Sequence, residues 1–286
     1  MKALVAGAGG QLGRELVSAL GNQVAWAGDR SELDVTDDDA VASVLEQARP
    51  DVIFNATAYN RVDLAETEPD VALAVNALAP RTLALAARET SALVVHFSTD
   101  YVFDGESTRP YREDDCPRPL GVYGVSKMAG EQLVTGASGE HLIIRTSGVL
   151  GRGGSEQKGG SFAGRILARA RQGKPLRVVA DQTFAPTCAA DLAAATLALV
   201  RTGARGLVHI TNAGSCTWHE LAEATLALAG IDVPVEAIES AQLALPARRP
   251  AYSVLDTRRS VELGLEPLRS WREALADCVE PSEERD

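Results

Sequence analysis

Tyr123 and Lys127 stand four residues apart in the run Tyr123-Gly124-Val125-Ser126-Lys127, so on a helix both side chains leave the same face. A free phenol titrates near ~10, too high for easy proton exchange at neutral pH, and a nearby ammonium lowers that value by favouring the phenolate. The pair is therefore suited to handing a proton to a carbonyl oxygen. Thr99 lies 24 residues ahead of Tyr123, just past a predicted strand over 93–98. Open parallel sheets bind ligands at that carboxyl edge, and a hydroxyl there can reach the same oxygen. The chemistry expected is reduction of a keto group. Tyr123 would be the acid and Thr99 a hydroxyl partner, while Lys127 would tune the phenol and bond a nicotinamide ribose.

A cofactor site is predicted at the other end of the same half. The first predicted strand, Ala3–Ala6, runs into Gly7-Ala8-Gly9-Gly10-Gln11-Leu12-Gly13, and a helix follows. Glycines at a strand-to-helix turn permit positive φ and close backbone approach, and the helix start attracts a pyrophosphate. Gly7, Gly10, Gln11, Leu12 and Gly13 are the expected contacts. The spacing is G-x-x-G-x-x-G rather than G-x-G-x-x-G. Past the second strand, Asp29 could take the adenosine ribose hydroxyls and Arg30 a 2′-phosphate, which leaves NADH and NADPH both open. Asp34 and Val35 could edge the adenine. Asn55-Ala56-Thr57-Ala58-Tyr59 offers small residues where a dinucleotide would cross the sheet, so Thr57, Ala58 and Tyr59 complete the expected set.

Other chemistries find little support. His96, His141, His209 and His219 have no metal-ligand spacing and read as structural or surface residues, so no metal site is predicted. Cys116, Cys188, Cys216 and Cys278 are scattered without a C-x-x-C pair and read as reduced thiols. Neither a G-x-S-x-G elbow nor a G-K-[ST] phosphate loop occurs. Asp and Glu outnumber Lys and Arg by 39 to 28, a net charge of −11, which argues against nucleic acid as partner. No export signal follows Met1, and the apolar stretch 192–200 is about half the ~20 residues a bilayer crossing needs. A cytoplasmic protein without membrane attachment is expected.

These residues need a scaffold, and the pattern supplies one. Strands are predicted over Ala3–Ala6, 23–27, Val52–Asn55, 93–98 and 142–146, separated by helices over Gln11–Leu20, 37–48, 68–89 and 123–135. Such alternation builds a parallel sheet covered on both faces. The hydrophobic fraction is 45% with only 5% aromatic, so the core is Ala, Leu and Val. Beyond Arg145 the order loosens into a glycine-rich stretch, 151–160, read as a mobile loop. A helix over 162–172, a strand over Leu176–Val179, a helix over 189–200, a strand over 206–211 and a helix over Trp218–Leu228 follow. Residues 281–286 read as a frayed acidic tail.

With these residues in view, the chain resembles the dTDP-4-dehydrorhamnose reductase family of extended short-chain dehydrogenases. The resemblance rests on Gly10-Gln11-Leu12-Gly13, Asn55-Ala56-Thr57-Ala58-Tyr59 with Val62-Asp63, and the specific run Ser98-Thr99-Asp100-Tyr101-Val102-Phe103-Asp104-Gly105. It continues through Tyr123-Gly124-x-Ser126-Lys127, Arg145-Thr146-Ser147, Asp181-Gln182, Ala185-Pro186-Thr187, Arg249-Pro250 with Ser253, and Trp271, spanning nearly the whole chain. It implies an α/β fold: a Rossmann-type doubly wound parallel sheet with a smaller C-terminal α/β substrate domain. The expected division gives 1–147 with about 176–205 to the NAD(P)-binding domain, and about 148–175 with 206–286 to the substrate domain. The resemblance also implies Thr99, Tyr123 and Lys127 as catalytic residues and Val62, Asp63, Tyr101 and Arg249 as substrate contacts. The implied reaction is reduction of C4 of dTDP-4-dehydro-6-deoxy-L-mannose by NADPH or NADH. Magnesium and a homodimer are implied by the resemblance alone. One position departs: after Arg-Thr-Ser the family carries a tryptophan that packs on the sugar, and this chain has Gly148. Phe162 or Phe184 could close the gap. A different 4-keto sugar therefore stays open, as does a non-catalytic relative resembling the regulatory subunit of methionine adenosyltransferase.

Overall fold

The computed structural model describes residues 1–151 and 160–279, so most of the predicted 151–160 loop and the 281–286 tail lie outside the described residues. In chain order the first half runs β1 (Ala3–Ala6), α1 (Gln11–Leu20), β2 (Val24–Gly28), α2 (Asp38–Ala48), β3 (Val52–Asn55) and α3 (Val62–Ala65). Then come α4 (Pro69–Leu73), α5 (Ala79–Thr90), β4 (Leu93–Thr99), α6 (Val122–Ala137) and β5 (His141–Thr146). The second half contains β6 (Val149–Leu150), α7 (Phe162–Arg171), β7 (Leu176–Val179), β8 (Thr183–Phe184), β9 (Thr187–Cys188) and α8 (Ala189–Thr202). It ends with β10 (Gly206–His209), β11 (Cys216–Thr217), α9 (Trp218–Leu228), β12 (Val235–Ile238), α10 (Arg258–Glu262) and α11 (Trp271–Ala276).

Six parallel strands form the main sheet in the order β2-β1-β3-β4-β5-β10. The chain reverses direction across the sheet at β1, with β2 on one side and β3 on the other, so the carboxyl ends of β1 and β3 flank a crevice. Alternate residues of each strand face opposite layers. Ala3, Val5, Phe54, Val95 and Ile144 pack under α1 and α8, while Leu4, Ala6, Ile53, Val94 and Ile143 pack under α2, α5 and α6. That double burial explains why the strands read as continuous apolar runs.

The predicted helix over 68–89 has a defect. Between α4 and α5 the turn Ala74–Leu78 is π-helical. Pro80 explains it, because a proline has no N–H to return to the fourth residue back, and the turn widens to absorb the mismatch. The whole helical run Pro69–Thr90 is long and apolar enough to cross a bilayer by length and composition alone. Here Ala79, Leu83, Ala84 and Ala87 pack it onto the sheet.

The division of the chain also needs correcting. β7, expected with the main sheet, pairs with β12 in a separate two-stranded sheet. β10, expected in the smaller domain, is the edge strand beside β5. Burial is the reason: Leu176 and Val178 join Leu221, Leu226 and Trp271 in the smaller core, whereas Val208 and Ile210 join the sheet core. The same smaller core brings two thiols together, Cys188 and Cys278, with sulfurs 3.6 Å apart.

Candidate active site

At the carboxyl edge of β4 and β5 lies a cleft of about 420 Å³ between the sheet and the smaller core. Thr99, Tyr123 and Lys127 all line it. β4 carries Thr99 at its last position, opposite Thr146 of β5. α6 carries Tyr123 and Lys127, and its start is tied down from outside: Glu66 accepts the Val122 N–H at 2.9 Å. Farther along α6, Ser126 accepts from Asn76 at 3.0 Å, and Asn76 also holds the Tyr59 backbone through both ends of its amide. Asn76 belongs to the π-helical turn, and a Cβ on Gly130 would fall 2.1 Å from its carbonyl oxygen. The defect and the glycine thus let the two helices meet closely.

Each polar group in the cleft has a defined environment. The Lys127 ammonium donates to the Phe97 carbonyl at 2.5 Å, and burial lowers its pKa to about 8, with Glu131 pulling it back up. Tyr123 is pushed up to about 12 by burial, with the Thr99 hydrogen bond opposing and the Asp100 charge adding to the rise. The sequence reading expected Lys127 to lower the phenol. In this structure desolvation of the phenol dominates, and the ammonium is spent on a carbonyl instead. Tyr101 meets the Tyr123 ring edge-on, centroids 5.9 Å apart. Behind Lys127, the buried pair Arg145–Glu131 closes at 2.7 Å, and Ser98 donates to the same carboxylate.

Asp100 sits in the cleft wall, 3% exposed. Its carboxylate accepts from the hydroxyls of Thr99 at 2.9 Å, Ser147 at 2.7 Å and Ser253 at 2.5 Å. Burial raises its pKa while the three hydroxyls pull it down. The opposite wall is aromatic. Phe184 stacks on Trp218 at 4.0 Å, and Phe162 lies 4.9 Å from the same indole.

The glycine turn meets the demands of a dinucleotide. Gly7 has φ +83°, and a Cβ there would lie 2.9 Å from the Ala56 and Thr57 backbone. On Gly13 it would fall 2.0 Å from the Gly7 carbonyl oxygen. Gly10 caps α1 without a side chain, so the first-turn N–H groups face outward toward a phosphate site.

A family model described as RmlD substrate binding domain matches residues 1–284. The chain belongs to this family. A dTDP-4-dehydrorhamnose reductase of Streptomyces griseus is 43% identical over 96% of this chain and 91% of its own. A probable dTDP-4,6-dihydroxy-2-methyloxan-3-one 4-ketoreductase of Streptomyces antibioticus is 42% identical, covering 97% and 94%. Among solved structures, dTDP-4-dehydrorhamnose reductase from Bacillus anthracis in complex with NADP superposes with TM-score 0.92 at 34% identity, over 97% and 99% of the two chains.

Within this RmlD-family chain the predicted residues divide into groups. Gln11, Leu12, Ala58, Val62, Tyr101 and Arg249 line the cleft with the catalytic candidates. Gly7, Gly10, Gly13 and Thr57 form the adjoining turn, where Thr57 donates to Asn55 at 2.5 Å. The Asp29 carboxylate stands 3.0 Å from where a Cβ on Gly9 would be, and Ser31 donors hold its pKa down. Arg30 is exposed and reaches Asp34 at 3.4 Å, and Asp34 also accepts from Thr36. The Val35 side chain is buried in the core beside Leu33 and Val41. The Tyr59 hydroxyl is engaged by Glu68 at 2.5 Å, outside the cleft lining. Asp63 and Arg249 bond each other bidentately at 3.0 and 2.8 Å, which lowers the Asp63 pKa.

Sequence reading missed Asp100, Ser147, Ser253 and Trp218 as cleft residues. Asp100 could have been found, since it lies inside the Ser-Thr-Asp-Tyr run. Nothing local marks Trp218, which reaches the cleft only through the stacking of the smaller core.

Proposed function

We propose that this chain is a nicotinamide-dependent reductase of the C4 keto group of dTDP-4-dehydro-6-deoxy-L-mannose, yielding dTDP-L-rhamnose. The observation that carries the reading is the meeting of Thr99, Tyr123 and Lys127 in one cleft beside the glycine turn. The names of relatives covering nearly the whole chain support the sugar nucleotide, and the NADP in the Bacillus anthracis relative supports the cofactor. A bound nicotinamide supplies the hydride. Tyr123, protonated at neutral pH, gives its proton to the developing alkoxide, while Lys127 holds positive charge behind the phenolate that results. Thr99 fixes the phenol, and Tyr101 with Arg249 borders the sugar. Asp29 favours ribose hydroxyls and Arg30 a 2′-phosphate, so either NADH or NADPH serves. Among the described residues no group of three His, Cys, Asp or Glu side chains could hold a metal ion. The sheet with α8 and β10 is the proposed cofactor domain, and the segments around α7, α9 and α11 the substrate domain. The proposed site of action is the cytoplasm.

A second reading is favoured by Gly148. A Cβ there would lie 2.3 Å from the Phe184 ring, so Phe184 occupies the space beside residue 148 and reshapes the sugar wall. A different dTDP-4-keto sugar is the corresponding substrate. NADPH or NADH oxidation with dTDP-4-dehydrorhamnose, and with other dTDP-4-keto-6-deoxy sugars, separates the two. In the same assay Tyr123→Phe is expected to lose about 10²–10⁴-fold in kcat with cofactor binding retained. A fully active phenylalanine variant refutes the assignment.

A further inference from the structure

Outside the cleft lining, the smaller core holds a second pair of reactive side chains: the thiols of Cys188 and Cys278, with Cys278 donating sulfur to sulfur at 3.6 Å. Their backbones are tied together independently of the sulfurs. Cys188 is the N-cap of α8, and its N–H donates to Asn212 at 2.7 Å, whose amide in turn donates to Asp191 in the first turn of that helix. Arg269 joins Asp191, at 2.9 Å, to Asp277, at 2.5 Å, and Asp277 is the residue before Cys278. The two sulfurs also differ in character. The Cys278 S–H and the Asp191 and Ala190 amides hold the Cys188 thiol below the usual range, against burial and the Asp191 charge. Cys278, bonded to that sulfur and buried, is pushed up. Cys188 is therefore the nucleophile of the pair.

We propose that Cys188 and Cys278 form an oxidation site for a peroxide, and that the resulting disulfide bolts α8 to the end of α11. The inference stands apart from the reductase reading. α8 packs on the main sheet through Leu192, Ala193 and Ala195, whereas α11 packs in the smaller core through Trp271, Ala274 and Leu275, so the bond joins the two cores that flank the cleft. In the first step the Cys188 thiolate attacks a peroxide oxygen and the O–O bond breaks. The departing hydroxide takes the proton that Cys188 gave up, leaving a sulfenic acid and one water. The Cys278 sulfur then displaces the sulfenic hydroxyl, which leaves with the Cys278 proton as a second water. Two thiols lose two electrons and the peroxide gains them. Cys188 is 4% and Cys278 9% exposed, which suits a small oxidant and disfavours a bulky disulfide such as oxidised glutathione. The exposed ion pairs hold the segments only weakly. A covalent link closing a 90-residue loop restricts the unfolded chain far more.

The test uses the full chain carrying Cys116→Ser, which removes the exposed thiol. Equimolar hydrogen peroxide, followed by unfolding in an alkylating reagent and peptide mass spectrometry, is expected to show Cys188 and Cys278 joined within one chain. Cys216 should be alkylated, and a thiol reductant should reverse the link. The oxidised protein is expected to melt at least about 5 °C above the reduced one. In a further Cys278→Ser variant, with folding checked by circular dichroism, dimedone is expected to trap the sulfenic acid on Cys188. Both thiols still alkylated after peroxide, a glutathione adduct formed as fast, a link to Cys216, an unchanged melting point or no dimedone adduct on Cys188 overturns the proposal.

Discussion

Gly148→Ala offers a sharp test of how the cleft wall is built. Gly148 has φ +49°, and a Cβ there would fall 2.3 Å from Phe184 Cε2 and 2.7 Å from Cδ2. The ring cannot retreat easily, because it is 3% exposed and stacked on Trp218. A left-handed backbone costs an L-residue about 1–2 kcal/mol, and forcing a methyl into a packed site costs about 1–3 kcal/mol. Loss of glycine's freedom in the unfolded chain returns about 0.4–1 kcal/mol. The net is a destabilisation of roughly 1.5–4 kcal/mol, read by urea titration at constant m-value. Combining it with Phe184→Ala removes the clash but not the backbone cost. The double variant should therefore be more stable than the sum of singles by about 1–3 kcal/mol. A Gly148→Ala protein within about 0.5 kcal/mol of wild type, or strictly additive singles, refutes the claim that Phe184 requires glycine at this position.

Two further outcomes follow from buried charge. His96 and His209 are buried with an unpaired ring nitrogen each; burial holds His96 well below the usual range and His209 at about 3. The unfolded chain binds protons at these sites near ~6.5 and the folded chain does not, so stability rises with pH across that window. Unfolding free energy should fall by roughly 2.5 kcal/mol between about pH 7 and 5.5, and a flat urea-derived profile there would contradict neutral buried rings. Glu131→Gln leaves the Arg145 guanidinium, 2% exposed, without its counter-charge. A loss of about 3–5 kcal/mol is expected in the same titration, and a change below about 1 kcal/mol would show that water reaches the pair.

The parts of the site that could be read in the sequence are those whose geometry is local. Gly7, Gly10 and Gly13 announce a tight turn because strand, turn and helix are consecutive, and Tyr123 and Lys127 share a face because helical spacing dictates it. Thr99 was placed by its position at a strand end. Illegible were contacts whose partners are distant. The carboxylate of Asp100 gathers Ser147 and Ser253 from segments 47 and 153 residues away. The seating of Phe184 on Gly148 depends on Trp218 beneath it. Likewise β7 and β10 are short apolar runs of similar composition, and only the core each one completes decides its sheet. The π-helical turn was hidden because Pro80 signals a disturbance without saying whether the helix stops, kinks or widens.

The bonds from Asp63 to Arg249 and from Asp100 to Ser253 span 186 and 153 residues. A ribosome delivers the chain from its amino end, and early segments collapse before late ones emerge. The phosphate turn and the first five strands can therefore form while Arg249 and Ser253 are still unmade, leaving two acidic side chains without their partners. Catalytic competence, on this geometry, waits for those two late residues rather than arriving with the first strands of the sheet.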